Sequence, residues 1–166
     1  MTQKYWITTQ WPPYEGEDIE FAIELQYEDI VAGQDLKPDD LILIYQLKTG
    51  RVEKGKGLKR MVGDCGIIAL VKAIDRFRKN PDGHCKTFSD GQEDTKMYWK
   101  WIATTKTVST DGYVSREKVN EILGYSPKYT LRGFGQNRSG LRNLTKSEFC
   151  RILRKFSSEL YREYCQ

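Results

Sequence analysis

The stretch that most constrains this chain is residues 36–47, LKPDDLILIYQL. A turn at Pro38-Asp39-Asp40 leads into five consecutive apolar residues, Leu41 to Tyr45, with no polar side chain between them. A strand covered on one face alternates apolar and polar residues, so an unbroken run predicts a strand covered on both faces, central in a sheet or part of a barrel. Such a strand needs partners, and the chain supplies them. Residues 4–9, KYWITT, are aromatic and β-branched and stop before Trp11-Pro12-Pro13, where proline ends any ladder. Residues 66–74, GIIALVKAI, and 97–108, MYWKWIATTKTV, read as further strands. In the second of these, Trp99 and Trp101 fall on one face and Tyr98, Lys100 and Ile102 on the other.

Residues 19–27, IEFAIELQY, place Ile19, Phe21, Ile23, Leu25 and Tyr27 at period two, which fits a half-buried strand. Ile19, Ala22, Ile23, Gln26 and Ile30 also form a weaker helical stripe, so the helix stays open. Residues 77–95 are polar and carry Pro81-Asp82-Gly83 and Asp90-Gly91, the pattern of a long exposed loop. Ser115 can cap a short helix ending near Gly124, with Val119, Ile122 and Leu123 inward. Thr145 and Glu148 form a capping box before a terminal helix whose inner stripe is Phe149, Ile152, Leu153, Phe156 and Leu160. These elements describe one α+β domain of 166 residues, with a curved sheet or barrel closed by a packed terminal helix.

Several chemistries are disfavoured by what the chain contains. Cys65, Cys85, Cys150 and Cys165 have neither zinc-knuckle nor thioredoxin spacing, and are expected as reduced, buried thiols. His84 is the sole histidine, so a metal would need Asp82 or Asp90 beside it, and no catalytic triad can be assembled away from that one loop. No metal or cofactor is expected. Residues 50–57, GRVEKGKG, almost spell a phosphate-binding loop, but Gly57 stands where a hydroxyl must hold magnesium, and no helix follows. No apolar run reaches the ~20 residues of a membrane span, and residues 1–11 lack the pattern of a secretory signal, so a cytoplasmic location is expected.

The formal net charge of +4 conceals a strong asymmetry. Residues 14–40 hold ten acids against Lys37, near −9, while the remainder carries 26 basic and 13 acidic side chains, near +13. Lys48, Arg51, Lys54, Lys56, Lys59 and Arg60 form one basic stretch; Arg132, Arg138 and Arg142 punctuate a second, beside Gly133, Gly135 and Gly140. With 4 tryptophans and 10 tyrosines at hand, cations interleaved with aromatics point to nucleic acid, the rings stacking on bases and the cations on phosphates.

The order of segments resembles the EVE domain of the PUA-like superfamily across nearly the whole chain. The similarity lies in the opening YW-I strand that ends at a proline, LKPDDLILIY, the G-I-I strand, the YWKW strand, and FG followed by LRNLTKSEF before the last helix. This chain reads TQWPP where the family often has an S-E-P-like sequence, and KPDD where KPGD is usual, with Asp39 in the glycine's place. The resemblance implies an α+β fold, a PUA-like twisted β-barrel of about five or six strands with flanking short helices and a C-terminal helix. It also implies binding of modified bases in DNA or RNA. By position it places a base pocket at Thr9, Gln10 and Trp11, at Tyr45 and Gln46, and at Phe134, with Arg138 nearby; the aromatic strand adds Trp99 and Trp101. The expectation is therefore a non-catalytic reader of a modified, methylated base flipped into an aromatic pocket, working alone or beside a separately encoded nuclease. Its rivals are a protein-interaction module, as in a toxin–antitoxin or restriction accessory role with the acidic segment docking a basic partner, and an RNA-processing enzyme, for which no paired acid and base is evident.

Overall fold

A computed structural model of the chain describes residues 2–25, 35–81, 85–90, 93–132 and 140–166. Gln26, Tyr27, Ile30, Asp82, His84, Gly133, Phe134, Gly135 and Arg138 lie outside the described residues.

The expected central strand is present as β3, Leu41–Gln46, buried at every position. It lies parallel to β1, Tyr5–Gln10, and antiparallel to β4, Gly66–Ala73. β11, Leu141–Leu144, extends the sheet antiparallel to β1, while β9, Thr105–Ser109, and β10, Val114–Ser115, both pair with β4. The sheet thus has six strands, as expected for the α+β class, but among the described residues its ladder does not close into a barrel. Register shifts at Ile44/Tyr45 and at Leu70/Val71 supply irregularities of the kind that bend a sheet without closing it.

Alternation along β3 explains why it needs cover on both sides. Leu41, Leu43 and Tyr45 join one apolar core with the helices α1, Arg116–Leu123, and α2, Lys146–Phe156. Ile42 and Ile44 join a second core with Trp6, Ile23, Leu25, Leu36 and Ala103. The second layer is a small sheet of β2, Ile23–Leu25, β8, Trp101–Ala103, and β5, Arg78–Lys79. Asp40, only 1% exposed, ties the entry of β3 to β1 by accepting hydrogen bonds from the Lys4 amide, the Trp6 indole and the Lys37 amide.

Both helix caps form as the sequence predicts. Ser115 accepts from the Lys118 amide and Gly124 ends α1 in the left-handed region; Thr145 and Glu148 make the reciprocal capping box of α2. The terminal helix is not continuous, however. Ser157 takes an extended conformation and caps a separate α3, Ser158–Cys165, so Leu160 no longer continues the fully buried stripe.

Three other expectations are corrected. Cys150 and Cys165 are joined in a disulfide, because the break at Ser157 lets α3 turn back on α2; Cys65 and Cys85 remain free. Residues 77–95 are not one loop: β6, Cys85–Asp90, pairs antiparallel with β7, Glu93–Tyr98, and their polarity reflects a hairpin whose outer face is solvated. The single strand expected over 97–108 is divided among β7, β8 and β9, so Trp99 and Trp101 do not share a face of one strand. No described helix is long and apolar enough to cross a membrane.

Candidate nucleic-acid interface

Where β1 ends, the chain does not stop at the sheet edge. Pro12 and Pro13 deny it further ladder bonds, and it swings out along residues 14–25. On the other side, the connection from β3 to β4 rises through residues 48–64 and is clamped to this segment. Tyr14 and Arg60 form an isolated bridge, the Met61 amide donates to Pro13 O, and the Glu15 amide donates to Lys59 O. The β6–β7 hairpin leans on the same connection through a bridge between Glu53 and Phe88 and a bond from the Lys54 amide to Thr87 O. Between these parts opens a cleft of about 1060 Å³.

One wall of the cleft is aromatic. Trp11, Phe88 and Trp99 meet edge to face, with ring centroids 5.5 to 6.2 Å apart. Phe88 is fully buried, whereas Trp11 and Trp99 are half-buried and border the cavity. Gly50 is required here, since a Cβ at that position would lie 2.6 Å from Trp11. Arg60 crosses the wall: its guanidinium sits 5.2 Å from the Trp11 ring and 4.0 Å from the Tyr14 ring, while Nε and Nη1 donate to Arg51 O and Pro12 O. Burial pulls the Arg60 guanidinium below its ordinary pKa, partly offset by Tyr14, Glu53 and Glu17.

The charge around the cleft is mixed rather than uniformly cationic. Arg51, Lys56, Arg60, Lys86 and Arg132 border it, and so do Glu17, Asp18, Glu20, Glu24 and Glu53. Within the wall Lys56 pairs with Glu17 at 2.8 Å and Lys86 with Glu53 at 2.9 Å. Burial alone would push Glu53 up, but the Lys86 hydrogen bond and the charges of Lys86, Lys56 and Arg60 outweigh it and hold the carboxyl below its usual value. Lys56 is raised by its bond to Glu17.

Of the expected pocket residues, Thr9, Gln10, Trp11 and Trp99 border this cleft, with the Gln10 Nε2 donating to Glu20 O at 2.5 Å. Tyr45 and Gln46 are placed elsewhere. Tyr45 is 1% exposed in the helix-side core, where burial raises its phenol well above the ordinary value, and the Gln46 side-chain Oε1 accepts from the Asp64 amide. Trp101 packs on the opposite core, because the break after β7 turns it toward β2. Of the expected phosphate ligands, Arg51, Lys56 and Arg60 border the cleft. Lys48 and Lys59 are exposed beside it, and Lys54 pairs with Asp94. Arg142 is turned to the helical side, bound to Glu148 and lying over Tyr125. Phe134 and Arg138 lie outside the described residues.

Sequence reasoning missed Tyr14, Phe88 and Lys86, the last two because they fall in the segment read as a loop. It named Arg132 only as part of an arginine run; in the fold its guanidinium donates to Thr49 at the cleft margin. Among the described residues no cluster of His, Cys, Asp and Glu could hold a metal ion.

Together these features define a mixed α+β domain, a twisted six-stranded sheet between a helical layer and a small second sheet, with an aromatic cleft at one end. No family model matches the chain, and no curated protein matches it. Its fold is shared with the structure of a hypothetical protein from Leishmania major, at a TM-score of 0.51 and 12% identity over 99% of this chain and 98% of that one. Human THYN1 protein, in a crystal structure with DNA containing 5-methylcytosine, is similar at a TM-score of 0.47 and 14% identity over 99% of both chains. A protein of Agrobacterium tumefaciens is similar at 0.42 and 12% identity over 92% of both.

Proposed function

We propose that the chain is a non-catalytic, PUA-like reader of nucleic acid that takes a base, and preferentially a methylated one, into the cleft between Trp11 and the acidic segment. The observation that carries this reading is the pair of half-buried indoles, Trp11 and Trp99, bordering a cavity of about 1060 Å³ with Arg51, Arg60, Lys86 and Arg132 around them. An indole face binds a base by stacking, worth about 1–3 kcal/mol for each base, and its apolar surroundings favour an added methyl group. Cations at the margin take the phosphates on either side of an extruded nucleotide. Extrusion costs a few kcal/mol, which a cleft with two indoles can offset.

Fluorescence anisotropy with labelled oligonucleotides carrying cytosine, 5-methylcytosine, 5-hydroxymethylcytosine or N6-methyladenine, at two salt concentrations, tests the proposal. Tighter binding of one modified base is expected, weakening with salt, with Trp11→Ala and Trp99→Ala each reducing affinity roughly 5- to 150-fold. Affinity indifferent to modification, salt and both indoles overturns it.

A second reading has its own support. Asp18, Glu20 and Glu24 line the same cavity, and such a set of carboxylates suits a basic protein segment. A nuclease encoded elsewhere is one partner of that kind. Under this reading a basic peptide, not an oligonucleotide, quenches the half-buried indoles of Trp11 and Trp99, and Glu20→Gln with Glu24→Gln abolishes the quenching.

A further inference from the structure

The connection that forms one side of the cleft carries an apolar tip unlike the rest of the surface. Four of the eight large apolar side chains exposed among the described residues fall between positions 52 and 62: Val52, Leu58, Met61 and Val62. Val62 is 76% exposed and Met61 49%, and neither belongs to the two apolar cores. Their backbone is nonetheless held on both sides. The Met61 amide donates to Pro13 O, the Gly63 amide to Lys48 O and the Asp64 amide to Gln46 Oε1, each at 2.8 Å. Gly63 approaches so closely that a Cβ there would lie 1.7 Å from Leu47 O. Two apolar side chains are therefore presented outward on an anchored loop. Arg60, the residue immediately before them, crosses the aromatic wall of the cleft.

Charge around the tip identifies what it meets. Lys59 precedes it, Lys48 is bonded through its carbonyl to the residue that follows it, and both are exposed and in no ion pair with the described residues. Two exposed cations beside an apolar point match the phosphates that flank a base stack. Phenylalanine, leucine, isoleucine, methionine and proline are the side chains that proteins insert between base steps, unstacking them and kinking the duplex, and Met61 is one of these with Val62 beside it. A base drawn from a duplex into the cleft leaves a gap in the stack, and the tip sits one residue along the chain from the cleft wall. We propose that Met61 and Val62 form a wedge that enters the stack of double-stranded DNA and occupies the space left by the base in the cleft. The inference rests on the reading of the cleft as a base site and adds to it the substrate class: a duplex, from which the protein itself extracts the base. DNA is favoured over RNA because sequence-reading proteins reach RNA bases mainly in single strands, where no wedge is needed.

Anisotropy with the full chain and three probes tests this: a DNA duplex with one central 5-methylcytosine, the single strand carrying that base, and the matching RNA duplex. The double substitution Met61→Ser/Val62→Ser, at exposed sites, is compared with Trp11→Ala after thermal melts confirm folding. The wedge predicts at least a tenfold loss on the DNA duplex with less than a twofold loss on the single strand, whereas Trp11→Ala weakens both. A 2-aminopurine beside the methylcytosine brightens when the wild type binds the duplex and stays quenched with the double variant. Equal loss on both DNA probes, no loss on the duplex, or wild-type binding confined to the single strand overturns the wedge and leaves the cleft reading standing. Equal wedge-dependent binding of the RNA duplex overturns the assignment to DNA. Indifference of every probe to Trp11→Ala overturns the cleft reading, and the wedge with it.

Discussion

Arg60 separates two roles that a basic residue beside an aromatic cleft can have, reaching for a ligand or holding the cleft together, and Arg60→Lys tells them apart. The guanidinium makes three hydrogen bonds in different directions, to Arg51 O at 2.7 Å, Pro12 O at 2.8 Å and the Tyr14 hydroxyl at 3.2 Å, while lying over the Tyr14 and Trp11 rings. A lysine ammonium keeps the charge but not the planar fork, and from that position it can satisfy one of the two carbonyls. Two hydrogen bonds are lost at about 1 kcal/mol each. The weakened stack on two rings adds about 0.5–1 kcal/mol. The sum is about 2–3 kcal/mol, and for a domain of this length each kcal/mol lowers Tm by about 2–4 °C. Differential scanning calorimetry should therefore show Tm lower by about 5–10 °C, with a red shift in tryptophan emission as Trp11 loses its cover. Lys59→Gln, which removes an exposed charge, should leave the melt unchanged and weaken only nucleic-acid binding. A melt for Arg60→Lys within about 2 °C of wild type would refute the assignment of Arg60 to the architecture of the wall.

Two further outcomes concern the fold. Asp39 occupies the left-handed region at φ 73°, and its amide and carbonyl bond to Ala73 O and Gln3 Nε2, so Asp39→Gly removes backbone strain and keeps both bonds. It should raise stability by about 0.5–1 kcal/mol, after the greater freedom of glycine in the unfolded chain is subtracted, and a lower denaturation midpoint in urea would contradict the strain argument. The Cys150–Cys165 disulfide closes a loop of 15 residues, worth about 3 kcal/mol, so Cys150→Ser and a reducing agent should each lower Tm by about 6–12 °C and should not add to one another.

How much of this was legible beforehand varies with the range of the interaction. The run from Leu41 to Tyr45 specified a strand covered on both faces, because five consecutive apolar side chains in a strand must point to both sides of a sheet. Ser115 and Thr145 specified helix starts, because capping acts over three residues. Asp39, at the turn before the run from Leu41 to Tyr45, takes a positive φ, which aspartate is among the few residues besides glycine to tolerate. By contrast, nothing local distinguished Trp99 from Trp101. The pattern put them on one face, and only the turn between β7 and β8 sends one to the cleft and the other to the inner core.

From the chain alone came the class of fold, its central strand, its capped helices and the coexistence of aromatic and basic side chains, all of which depend on neighbours within a few residues. Tertiary structure alone decided which of those side chains meet. Trp11 lies beside Trp99 and Phe88, Arg60 over Trp11, and Lys86 against Glu53, through contacts between positions 33 to 88 residues apart. Tyr45 and Gln46 lie buried outside the cleft for the same reason, since their burial depends on the sheet beside them and the helices above it. Pairing across such distances follows from how the layers pack, and sequence periodicity carries no record of it.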